Sequence, residues 1–144
     1  MIDQAERDGI ISESAGWFSS DYTGVTSKHD LYRGKSPEYG GGIALFAFLN
    51  AETLKKLVER GYANPENRQD SAPTTGQFLL FLQSFPEFRA NGYVVAADRD
   101  DCRISLTGLS LEGVHDDTQE CEFRKFSRGA TEVEVKPDLL YCYW

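Results

Sequence analysis

Two stretches of this 144-residue chain concentrate side chains able to do chemistry. From Asp98 to Glu122 there are eight carboxylates: Asp98, Asp100, Asp101, Glu112, Asp116, Asp117, Glu120 and Glu122. Only Arg99 and Arg103 oppose them, so this stretch carries −6 of the net charge of −8. Carboxylates crowded on neighbouring loops raise the local negative potential, which steers and docks a basic protein surface. Oxygen ligands also suit Ca²⁺ or Mg²⁺, but Asp98-Arg99-Asp100-Asp101 lacks the glycine and distal glutamate of an EF-hand loop. The second stretch, 62–73, is a polar connection longer than most between helices, and long ordered loops often carry function. Its Asn64, Asn67, Arg68 and Gln69 offer donors and acceptors to a small polar ligand or a partner.

Other patterns have plainer readings. His115 beside Asp116 and Asp117, and His29 beside Asp30, have the residue types of a general base. Adjacency in sequence does not bring side chains together, and a base needs a substrate within reach. Cys102, Cys121 and Cys142 with His115 make a formal Cys₃His set, yet none are paired at the spacing of a structural zinc site. Cysteines that sit in or beside strands behave as small buried hydrophobes. Gly40-Gly41-Gly42 precedes an apolar run and is not followed by Gly-Lys-Ser/Thr, so it reads as a flexible lead into a strand and not as a phosphate loop. No Gly-x-Ser-x-Gly elbow is present.

Composition narrows the classes. The chain is 40% hydrophobic and 26% charged, within the globular range, and its length suits one domain, 1–144. Fifteen basic residues against 23 acidic ones, with no basic cluster, argue against a nucleic-acid partner. The start is polar and acidic, unlike a secretory signal, and the longest apolar run, Ile43–Leu49, is too short to span a bilayer. Three cysteines do not make a disulfide framework. These features predict a cytoplasmic protein with no membrane contact.

The elements that must position these residues follow from hydrophobic periodicity. Residues 1–40 give no clear pattern beyond the anchors Trp17-Phe18 and Tyr22 and a short strand opening at Leu31-Tyr32. Ile43–Leu49 reads as a central strand, with Asn50 capping the helix after it. In 51–60, Leu54, Leu57 and Val58 share one helical face, and Gly61 stops the helix. Thr74 and Gln77 have capping-box spacing ahead of a broadly apolar helix that Pro86 ends. Asn91-Gly92 reads as a turn, followed by strands over 93–97 and 103–107 joined by the Asp98–Asp101 hairpin, with 109–111 extending the second. Strands are also predicted over 121–126, over 131–135 with Val133 and Val135 inward, and over 139–144. The expected fold is α+β: a mostly antiparallel sheet of about five strands with two helices packed on one face.

The leading expectation is a small acidic interaction module, inhibitor- or immunity-like. It would bind a basic protein through Asp98, Asp100, Asp101, Asp116, Asp117 and Glu120. The alternatives are a small-ligand-binding protein or enzyme with its site near the 62–73 loop, and a divalent-cation site within 98–122. No pattern requires a cofactor.

Overall fold

In the computed structural model, residues 2–18 and 36–144 are described. His29, Tyr22 and the Leu31-Tyr32 strand lie outside them. The elements run α1 (Gln4–Ser12), β1 (Gly16–Phe18), β2 (Ile43–Leu49), α2 (Ala51–Glu59), α3 (Thr75–Ser84), β3 (Arg89–Val95), β4 (Ile104–Glu112), α4 (Asp117–Phe126), β5 (Glu132–Lys136) and β6 (Leu139–Tyr143). The fold is α+β, as expected. The described residues form six strands and four helices, against the expected five and two. All strand pairs are antiparallel, in the order β1-β2-β3-β4-β6-β5.

Register shows how one face became the core. Ala44 pairs with Val94, Val94 with Ile104, Leu109 with Cys142 and Leu111 with Leu140. Each of these side chains belongs to one buried cluster with Ile11 of α1, Leu54 and Leu57 of α2, Phe78 and Leu82 of α3, and Phe123 of α4. Apolar burial in this cluster is the main stabilising term here, and β4 is buried on both faces from Ile104 to Leu111. Two irregularities keep apolar residues on that face where strict alternation would turn them out. A register shift between Phe46 and Leu49, with Phe48 at φ 69°, lets both Phe46 and Leu49 point inward. A second shift, between Asn91 and Gly92, does the same for Leu106 and Leu109 of the partner strand.

That second shift corrects the Asn91-Gly92 turn. The dipeptide lies within β3, where a Cβ on Gly92 would overlap the Ser105 carbonyl oxygen. Glycine is there for close backbone approach, not for reversal. The strand predicted over 121–126 is instead the second half of α4. Asp116 Oδ1 accepts from the Gln119 amide at 2.7 Å and Gln119 Oε1 from the Asp116 amide at 2.9 Å, a full capping box. Val133 points to the core face, yet β5 is the outermost strand and leaves it 47% exposed.

The unread N-terminal region contains α1. Asp3 caps it by accepting from the Glu6 amide. Its buried face includes Arg7, which has no apolar signature in a sequence. The guanidinium bonds the Val95 carbonyl at 2.9 Å, the Tyr39 hydroxyl at 2.7 Å and Asp8 at 3.2 Å, and its Nη1 lies 3.4 Å from Cys102 Sγ. Tyr39 donates to Asp8 in turn. Burial opposes the Arg7 charge, but Tyr39 and Asp8 more than offset it and hold its pKa above the ordinary value. Among the described residues no helix is long and apolar enough to cross a membrane.

Candidate functional site

The structure divides the acidic stretch. Asp98, Asp100 and Asp101 sit in the β3–β4 hairpin, ahead of Ile104, while Asp116, Asp117 and Glu120 follow Glu112 at the other end of β4. Nine strand residues separate the two groups, roughly 30 Å at about 3.3 Å per residue. Half of the six are committed within the protein. Asp101 takes both Arg99 nitrogens at 2.9 Å and Arg103 at 3.2 Å. Burial alone would raise its pKa, yet the bonds from Arg99 and its own backbone, with Arg103, hold it below the ordinary range. Asp116 is the N-cap of α4. Glu120 lies 3.1 Å from His115 Nε2 and 3.2 Å from Arg124 Nε, and these two bonds hold its carboxyl low. Asp98, Asp100 and Asp117 form no ion pair among the described residues.

The His115 side chain is 6% exposed and lies beside Glu120 of α4, while the residue as a whole is half-buried. With the proton on Nε2 it donates to Glu120, and Nδ1 has no partner among the described residues. Among those residues no three His, Cys, Asp or Glu side chains are placed to hold a metal ion. The cysteines are dispersed in environment: Cys121 is exposed, Cys102 half-buried and Cys142 buried. Burial pushes the Cys142 thiol up to about 12, which keeps it a thiol at neutral pH.

The 62–73 loop has a definite structural task. β6 pairs with β4 only from Gly108 to Glu112, so the Ile104 carbonyl lies beyond that ladder. Asn67 Nδ2 donates to it at 2.9 Å and ties the loop to β4 there. Asn67 also anchors α3, because its carbonyl accepts from the Thr75 amide at 2.8 Å. Asn64 Oδ1 accepts from the Glu66 amide, and Gln69 Oε1 accepts from the Tyr93 hydroxyl at 2.6 Å. Three of the four loop residues singled out in the sequence are therefore committed to shaping the loop. Arg68 is different: it is exposed and forms no ion pair among the described residues.

Arg68 lines a cleft of about 610 Å³ between the loop, α3 and α4. Its floor is aromatic. Phe81 lies 4.6 Å from Phe126 and 5.1 Å from Phe85, centroid to centroid, and Phe126 meets Trp144 edge-on at 5.9 Å. Leu80 of α3 is 66% exposed on its wall. Lys125 and Glu122 of α4 line the far side and pair with each other at 3.2 Å. A smaller cavity of about 210 Å³ lies elsewhere, beside Tyr62, Asn64, Asn67 and Cys102.

The aromatic floor was only partly legible. Phe78, Phe81 and Phe85 are visible as one face of a helix, but Phe126 reached the cleft only because 117–126 is helical. The Asp116-x-x-Gln119 spacing is the signal that would have shown it. No family model, curated protein or solved structure matches the chain.

Proposed function

We propose that this chain is a ligand-binding protein whose site is the cleft between the 68–73 loop, α3 and α4. One observation carries the reading. Arg68, the loop cation that forms no ion pair among the described residues, borders a cleft of about 610 Å³ with an aromatic floor. Ligand sites are clefts of roughly 300–1,000 Å³ with apolar linings and a few polar groups that set orientation. An exposed leucine on the wall of such a cleft gains free energy when a ligand covers it.

The cleft contains its own reporter. Trp144 lines it, whereas Trp17 is buried against Phe46 in the core. Titration with a hydrophobic fluorescent ligand is expected to change Trp144 emission, and Trp144→Phe is expected to remove that change. Saturable binding with no effect on Trp144 would place the site elsewhere.

Docking of a basic protein is a second proposal, now confined to one end of β4. Asp98 and Asp100 at the hairpin, exposed and without an ion pair among the described residues, support it. It predicts that Asp98→Lys with Asp100→Lys abolishes capture of that partner at low salt without lowering the melting temperature. Equal capture by the variant would remove this proposal.

A further inference from the structure

We infer that the cleft takes an amphipathic anion: one apolar or aromatic body bearing a single carboxylate or sulfonate. The inference rests on the cleft being the binding site and adds the class of ligand. Its ground is the distribution of charge around the aromatic floor.

Three charged side chains line the cleft: Arg68, Lys125 and Glu122. Glu122 already holds Lys125, so their charges largely cancel for an incoming group. Arg68 is left over among the described residues, and the charged side chains of the lining sum to +1 on a chain whose net charge is −8. A planar guanidinium presents paired donors that match a carboxylate or sulfonate in fork geometry. The overall −8 opposes an anion at long range, but salt screens charges beyond about 8 Å under physiological conditions. At contact distance the local cation decides. The same placement disfavours a cationic ligand, which would meet an unneutralised Arg68.

The geometry also orders the ligand. Arg68 comes from the loop, and Leu80 comes from the sixth residue of α3. The anionic group would lie at the loop end and the apolar body along α3 and α4.

The test uses two fluorescent probes that differ by one group: 8-anilinonaphthalene-1-sulfonate, and N-phenyl-1-naphthylamine, which lacks the sulfonate. Affinities are measured for the full chain and for the variants Arg68→Gln and Leu80→Gln, both at exposed positions. The sulfonate probe is expected to bind about tenfold tighter than the neutral one, as one charge-assisted bond implies. Arg68→Gln is expected to erase that difference and leave the neutral probe unchanged. Leu80→Gln is expected to weaken both. Decanoate is expected to displace the sulfonate probe at lower concentration than decanol does. Equal binding of the two probes, or a sulfonate affinity indifferent to Arg68→Gln, would overturn the anion assignment while leaving the cleft as a site. Absence of binding by either probe, or indifference of both to Leu80→Gln, would overturn the cleft itself.

Discussion

Asn67 Nδ2 donates to the Ile104 carbonyl oxygen at 2.9 Å and so ties the loop to β4 beyond its ladder with β6. The bond joins a loop to a strand 37 residues away and fixes the segment from which Arg68 projects. Asn67→Ala is expected to lower unfolding free energy by about 1–2 kcal/mol, since it strands a carbonyl in a partly buried place. Urea denaturation measures this. Probe affinity in the cleft is expected to fall in parallel, because Arg68 loses its platform. Full stability with full binding would show that the loop is held by other contacts.

The Arg7–Asp8–Tyr39 network invites a double-mutant cycle. Arg7 is fully buried, so Asp8→Ala leaves its guanidinium with one carboxylate fewer and is expected to cost about 3–5 kcal/mol. Arg7→Met combined with Asp8→Ala is expected to cost clearly less than the two single changes added together. Additive losses would mean that the ion pair contributes nothing of its own.

Asp116 has two possible meanings, cap and charge, and one substitution separates them. Asp116→Ala is expected to destabilise the protein by about 0.5–2 kcal/mol, whereas Asp116→Asn keeps the capping oxygen and is expected to cost little. Thermal melts of the two variants decide it. Equal destabilisation would assign the role to negative charge at the start of α4.

Glu120 gives a pH dependence with a defined sign. Hydrogen bonds from His115 and Arg124 depress its folded pKa below the ordinary 4.5. The folded state therefore binds fewer protons there than the unfolded state does. The stabilisation is present above pH 4.5 and is lost as pH falls through the depressed value. Glu120→Gln is expected to be less stable than the parent at pH 6, with the gap narrowing below pH 4. Denaturant midpoints across that range test this, and a constant gap would contradict it.

Gly92→Ala probes the β3–β4 contact. The new methyl group would meet the Ser105 carbonyl and Leu106 backbone, neither of which is a flexible side-chain end. A loss of about 3 kcal/mol or more is expected, as for overpacking of a tight core. A variant as stable as the parent would show that the two strands separate easily.

Local chemistry was readable where one segment decides its own conformation. Asn50 before Leu54 and Leu57, and Thr74 before Gln77 and Phe78, named two helices because caps and periodicity agree within ten residues. The apolar run Ile43–Leu49 suits strand or helix by periodicity, and it reads as a strand because Asn50 then caps the helix that follows. Where partners are distant, the same residues misled. The apolar and polar positions of 121–126 suit a strand as well as a helix; the Asp116 capping box upstream, together with packing of Phe123 and Phe126, selects the helix. Arg7 looks like a surface residue until Tyr39 and the Val95 carbonyl surround it.

The α+β class, the acidic balance and two capped helices were legible in the chain alone. These follow from side-chain type and short-range spacing, which any segment carries with it. The tertiary structure decided which charges share a neighbourhood. β4 runs between two acidic groups that are near in composition and far apart in space, while the loop, α3 and α4 bring Arg68 to Phe126 and Trp144 from three separate parts of the chain. Strand length and sheet register set those distances, and both depend on pairings between residues remote in sequence.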